Sequence, residues 1–213
     1  MAITRQNIRD YVRTELKIDP SARVWSDPVL NRNIETARRK IQQDGNYDWH
    51  FNDGEDTSIT TVVGTAEYTL PTGFVRLESV KYDTWVLQPT TKDYLKKTNS
   101  SLAVNGKPVY YYLLGSKIGL FQRPDEAKTL DFTFRKKLAA FTADTSVEEM
   151  DDEFIEAIVQ YACYLSWADI QGREDKAVQA MQGYREAMEG LFEQFLGRRD
   201  DVNFNFQFET ING

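Results

Sequence analysis

The period of the hydrophobic pattern changes twice along this chain, and that change constrains its fold more than any motif does. Helical stripes occupy roughly residues 1–50, vanish between about 51 and 142, and return near Asp152. A helix-period segment buries one stripe, whereas a period-2 segment buries alternate residues. The two patterns cannot share one layer, so the middle is expected to be a separate module carried between helices.

Residues 4–17 read as a helix. Thr4 is its N-cap, Ile3 and Ile8 form a staple, and Ile8, Tyr11, Val12 and Leu16 make the apolar face. Pro20 ends the pattern. A second helix is expected from Asp27-Pro28, with Asp27 as cap and Pro28 at the first helical position, to Gly45-Asn46. Leu30, Ile34, Ala37 and Ile41 form its stripe. Arg38, Arg39 and Lys40 fall in its later turns, where positive charge suits the helix dipole.

The middle reads as short strands. Ser58–Val63 and Glu67–Leu70 are parted by Gly64, and Pro71-Thr72-Gly73 is a turn. Val75–Leu87 reads as a long strand or hairpin, and Thr91–Thr98 as a short helix. Pro108–Leu114 and Lys117–Gln122 flank Gly115-Ser116, a two-residue hairpin turn. Thr129–Lys137 alternates, with Leu130, Phe132 and Phe134 on one face.

From Phe154 to Ile170 nearly every residue is apolar, which predicts a central helix buried on several sides, opened at Asp151 with Met150 and Ile155 as its staple. After Gly172, residues 174–196 form an amphipathic helix with Ala177, Met181, Tyr184, Met188, Leu191 and Phe195 on one face. The predicted fold class is α+β: a bundle of about four helices (1–50 and 151–198), an inserted antiparallel β-module (51–150) and an extended C-terminal arm (199–213).

Several function classes lose support. No signal peptide is expected behind Met1-Ala2-Ile3-Thr4-Arg5, and no run approaches the roughly 18 apolar residues of a membrane span. One cysteine, Cys163, allows no intrachain disulfide. It reads as a buried, inert small hydrophobe. The one histidine, His50, reads as a packing residue after a helix. Phosphate-binding glycine loops are missing. Asp151-Asp152-Glu153 and Glu174-Asp175 read as helix starts rather than metal ligands, and Lys136-Lys137 as a solvated face. No catalytic residue, cofactor or metal is expected. Tyr110, Tyr111, Tyr112 and Trp85 leave a carbohydrate-binding or hydrolytic domain as an alternative, although strand alternation would put the tyrosines on both faces.

Charge is uneven. The net −7 divides as nine basic against seven acidic residues in 1–50, twelve against thirteen in 51–150, and five against thirteen in 151–213. A surface that grips nucleic acid needs clustered Lys and Arg. No such surface is evident here, and an acidic wall is compatible with passing DNA without gripping it.

The last segment carries strict alternation: Val202, Phe204, Phe206 and Phe208 share one face of an extended chain, preceded by Arg198 and Arg199. Burying each apolar side chain gains roughly 1.5–3 kcal/mol. Ordering about eight backbone residues costs roughly 1–2 kcal/mol apiece. The terms nearly cancel, so the strand is expected to form only where a partner supplies backbone hydrogen bonds, as in β-augmentation.

The order of elements, with Asp-Pro-Val-Leu-Asn at 27–31, the run Pro108–Pro124, the strand Leu130–Lys137 and the helical return Glu153–Ala162, resembles the head-to-tail adaptor proteins of tailed bacteriophages, over roughly 25–200. Tail-tubular and gatekeeper-like adaptors of short-tailed phages are included. The resemblance implies a virion protein at the head–tail junction, assembled in the host cytoplasm as a ring of copies, a dodecamer, below the portal. It implies the portal protein and the next tail or nozzle protein as partners, with DNA passing through without specific binding. It also implies that Arg198–Gly213 reaches the portal; a neighbouring subunit and the chain's own β-module are the other candidates for that segment. Another neck or tail-completion protein is the nearest alternative.

Overall fold

A computed structural model describes residues 2–17, 25–99 and 101–196. In chain order its elements are α1 (Arg5–Glu15), α2 (Asp27–Asp44), β1 (Asp53–Thr60), β2 (Glu67–Thr69), β3 (Phe74–Tyr82), β4 (Trp85–Val86), β5 (Gln88–Pro89), α3 (Lys92–Thr98), β6 (Tyr110–Leu114), β7 (Lys117–Phe121), β8 (Thr129–Lys136), α4 (Ile155–Ala168) and α5 (Glu174–Leu191). The fold is α+β, and the chain divides into two compact units at Gly45/Asn46 and Ala140/Phe141.

In the helical unit α4 is central and packs against α1, α2 and α5. Its buried residues Ile155, Ile158, Val159, Ala162, Cys163 and Ser166 recur at helical spacing on one broad face, and Ala157 is buried on the opposite side. The α2 stripe Leu30, Ile34, Ala37 and Ile41 is fully buried. Thr4 caps α1, and Asn7 returns a side-chain bond to complete a capping box. Tyr11, expected on the α1 core face, is 48% exposed. The buried line on α1 is narrower, Ile8, Arg9 and Val12. Ser26, not Asp27, holds the N-cap position of α2. Asp27 instead faces Arg13 and Arg9 on α1.

The chain re-enters this unit through residues 141–150, and a polar clasp fixes the return. The Phe141 amide donates to Glu35 Oε1 at 2.8 Å, and the Arg38 guanidinium lies 4.0 Å from the Phe141 ring centroid. Arg38 donates to Glu148 Oε1 at 3.0 Å, and a second approach, Nε to Oε2 at 2.7 Å, is an ion-pair contact. Glu148 Oε1 also accepts the backbone amides of Glu149 and Met150. Both side chains are almost wholly buried. Arg38, expected to complement the α2 dipole, is therefore a core ion-pair residue. Nearby, Asp144 accepts from Arg5 and from both terminal nitrogens of Arg9. Backbone bonds from Arg5 to Ser146, Gln6 to Asp144 and Glu148 to Ile3 lay the segment along the start of α1.

The second unit stacks two four-stranded sheets, ordered β1-β8-β3-β4 and β2-β7-β6-β5. Pairing is antiparallel except for β5 with β6. The buried cluster draws Val80, Tyr82, Leu130, Phe132 and Phe134 from the first sheet and Tyr68, Tyr111, Ile118 and Leu120 from the second. The β8 face read from alternation is the buried one. The first strand runs over Asp53–Thr60 rather than Ser58–Val63. Its polar sequence hides it, because pairing along β8 holds it in place and a bulge lies between Asp56 and Ile59. Val62 and Val63 lie beyond it, exposed. The Val75–Leu87 segment is a hairpin turning at Asp83, which has φ +58°. Thr91 caps α3. Gly115 turns the β6–β7 hairpin at φ +55°. Gly119 sits opposite Tyr112, and a Cβ there would lie 2.2 Å from the tyrosine ring.

Two outcomes follow from this packing. Gly119→Ala should destabilise the β-unit by about 1–3 kcal/mol through overpacking. Combining it with Tyr112→Ala should cost less than the sum of the single losses, as a double-mutant cycle in urea would read. The second outcome concerns pH. Hydrogen bonds from Arg9, then Arg5, hold the Asp144 carboxyl at about 2, below the ordinary 3.8. A depressed native value means that the folded state binds fewer protons there. The contribution is present above about pH 4 and is lost as pH falls through about 2. The stability difference between the parent and Asp144→Asn should therefore be constant from pH 7 to about 4 and shrink towards pH 2, measured by urea unfolding at each pH.

Candidate assembly surfaces

The residue types that carry catalysis are placed structurally. Cys163 is buried in α4, with its thiol pushed up to about 12 by desolvation and then by Glu15. Such a thiol is not a nucleophile near neutrality. His50 opens a short 3-10 turn, His50–Asn52, on the surface, its ring edge-on to Phe51 at 5.6 Å. Asp152 and Glu153 start the 3-10 turn that leads into α4, and Glu174 and Asp175 start α5. Among the described residues no group of three or more His, Cys, Asp or Glu is placed to hold a metal ion. No helix of the described residues is long and apolar enough to cross a membrane. Lys136 is half-buried and ends β8, with Lys137 exposed beside it. Tyr111 and Tyr112 are buried and only Tyr110 is exposed, at 39%, so the three tyrosines form no flat stacking platform.

What the β-unit offers instead is edge and groove. One short stretch, Trp85–Pro89, serves both sheets: Trp85 and Val86 pair with β3, then Gln88 and Pro89 pair with β6. Neither cover is complete. On β3 it reaches only Lys81 and Tyr82, plus the Val80 carbonyl, which accepts from Leu87. On β6 it stops at Tyr111, whose carbonyl accepts from Thr90. A groove of about 390 Å³ lies where the two covers end. Phe74, Leu77, Tyr111 and Leu113 supply its apolar lining, and Arg76 and Lys92 its charges. Arg76 also holds Asp48 and Glu78, and Lys92 lies 3.6 Å from Glu67. Next to the covers the surface is apolar as well: Trp85, Val86, Val109 and Tyr110 are exposed, and Lys107 Nζ sits 3.9 Å above the Trp85 ring. The tyrosine run marks this region in the sequence, but no local signal marks the groove, because where a covering strand stops is set by its distant partner.

The helical unit carries a larger and more polar groove, about 720 Å³, among the end of α1, α4 and α5. Glu15, Lys17, Glu156, Lys176 and Glu186 ring it, so it is a charged surface rather than an apolar socket. Gly183 allows the close α4–α5 approach here, since a Cβ would lie 2.9 Å from Gln160 Oε1. Tyr184 ties α5 to α2 by donating to Asp44 Oδ2 at 2.6 Å. Burial, then the Asp44 charge, raises its hydroxyl far above the ordinary tyrosine value. The sequence-predicted docking residues Arg198, Arg199, Val202, Phe204, Phe206 and Phe208 lie outside the described residues.

An arrangement of this kind, with edges, grooves and apolar rims, suits binding to other chains. Comparison with known proteins bears on which chains. No curated protein matches the sequence. A family model described as SU10 adaptor protein matches residues 3–205, a range that includes both units and the alternating Val202–Phe204 start of the last segment. The chain belongs to the SU10 adaptor protein family and is a structural, virion-borne adaptor of the bacteriophage head–tail junction.

Proposed function

We propose that copies of this chain assemble as a closed ring, a dodecamer, below the portal, join the head to the next tail or nozzle protein, and continue the channel through which DNA leaves. The observation that carries this reading is the adaptor family match across residues 3–205, which takes in both the helical unit and the β-unit. Heterologous contacts between identical subunits close into a ring when the rotation closes, and such contacts need two different surfaces on each subunit. The groove and apolar rim of the β-unit and the charged surface of the helical unit are candidates for them. Assembly is read as taking place in the host cytoplasm. Imaging of the purified chain with its portal protein, with class averages read for symmetry and position, tests the arrangement directly.

Within this reading the segment Arg198–Gly213 is the docking element, ordered when a portal or neighbouring subunit supplies an edge. Its four apolar residues gain little by ordering alone, and each main-chain hydrogen bond to a partner adds roughly 0.5–1.5 kcal/mol net. The charge distribution, thirteen acidic against five basic residues in 151–213, supports a channel wall that does not hold phosphate.

Replacing Phe204, Phe206 and Phe208 with Ser should leave the melting temperature within about 2 °C of the parent. The same variant should fail to attach to DNA-filled heads in a complementation assay. Loss of folding in the isolated variant would instead assign the segment to the subunit's own core. For DNA, filter binding at physiological salt should give only the weak, non-specific range of roughly 10⁻⁴–10⁻⁶ M. Binding tighter than about 1 µM would count against a sliding wall.

A further inference from the structure

We infer that the groove between β3 and β6 is the receptor for the alternating segment Val202–Phe208 of a second copy of this chain, which enters as an added strand on the open edge of β3. The inference rests on the reading of that segment as the docking element and names its partner surface.

The groove has the parts that strand addition needs. Phe74, Val75, Arg76 and Leu77 all line it. Four consecutive strand residues line one cavity only when the cavity meets the strand at its edge, because side chains alternate between faces. Between Val75 and Ser79 no strand among the described residues pairs with this edge of β3, since β4 covers only Lys81 and Tyr82. The register against β8 shifts between Phe74 and Arg76 and again between Leu77 and Ser79. Bulges bend a strand and re-aim its polar groups. An edge left open in this way is a template for another chain. Main-chain bonds to it would supply affinity, and pockets for alternate side chains would supply specificity.

The occupant fits by its apolar pattern and by the length of chain that follows α5. Phe74, Leu77, Tyr111 and Leu113 offer an apolar floor to a strand whose apolar residues fall on one face. Leu113 is 47% exposed and Phe74 and Leu77 are partly buried, so the floor gains further burial when covered. From Leu196, the last described residue, an extended chain reaches Phe204 in roughly 25–30 Å and Phe208 in roughly 40 Å. The charged residues that line the groove, Arg76 and Lys92, already face Asp48, Glu78 and Glu67, so the occupant is selected by its apolar pattern rather than by charge. A second copy is the fitting source because each subunit of a ring then gives one segment and receives one.

The test places a photoreactive benzoyl-phenylalanine at position 206 of the full chain. Isotopically heavy and light copies are mixed, assembled with the portal protein, irradiated and digested. Heavy–light cross-links from position 206 to peptides holding residues 74–77, 89–92 or 111–113 are expected. Leu113→Lys, at a half-exposed site, should cut them at least tenfold without changing the melting temperature. Amide exchange at Val75–Ser79 should slow on assembly in the parent but not in the triple Phe→Ser variant. Cross-links only to the portal, only within one chain, or to another face of a neighbour would overturn the groove assignment and leave the docking segment standing. Absence of cross-links to any protein, with heads still attached, would overturn both.

Discussion

The buried ion pair between Arg38 and Glu148 is the contact on which the chain's discontinuous organisation depends. After Gly45 the chain leaves the helices and does not return until Phe141. Closing so long a loop carries an entropic cost that grows only slowly with length. What has to be supplied is a firm seat at the return. Arg38 supplies it by meeting the Phe141 ring and the Glu148 carboxylate, while Glu35 takes the Phe141 amide. A buried ion pair is a poor source of net stability, since desolvation offsets most of the attraction. It is strong in one respect: any register that leaves one partner unpaired is penalised by several kcal/mol. The clasp is thus better understood as fixing where the returning chain sits than as adding stability. With 141–150 laid along α1 and α2, Phe154 and α4 enter the core in one register.

In the β-unit the corresponding constraint is economy of cover. The short stretch Trp85–Pro89 is shared by both sheets, so each receives only two paired residues from it. Half of β3 and the end of β6 therefore stay open on the same side. Soluble proteins blunt such edges with bulges and charge. Both devices are present, in the two register shifts of β3 and in Arg76 with its carboxylate partners. They guard the edge against indiscriminate pairing, and a partner with matching alternation and apolar side chains still finds a floor to cover. A structural adaptor has use for that combination, because its contacts must form during assembly and not before.

The adaptor role and the chemistry of the side chains agree. The thiol of Cys163 is held out of reach by burial, and the acidic residues at the starts of α4 and α5 complement helix dipoles. Of the polar groups with strong partners, Arg5 and Arg9 hold the returning segment to α1 through Asp144, and Tyr184 holds α5 to α2 through Asp44. The distinguishing chemistry of the surface is apolar exposure beside open backbone.

The sequence by itself determined what local periodicity can report. The α2 stripe, the central place of α4, the Thr4 cap, the short helix after Thr91, the Gly115 turn and the inward face of β8 were all legible, because each depends on residues within a turn or two of one another. The α+β class followed from the change of period. Tertiary structure alone decided the rest. Arg38 reads locally as a partner of the α2 dipole, and its carboxylate partner lies 110 positions away in the sequence. Tyr11 fitted a helical stripe and yet faces solvent, because the neighbouring helices cover a narrower face of α1. The polar β1 became a strand only because β8 offered it a ladder. The groove exists because two covering strands end early, and where a strand ends is set by its distant partner and not by its own residues.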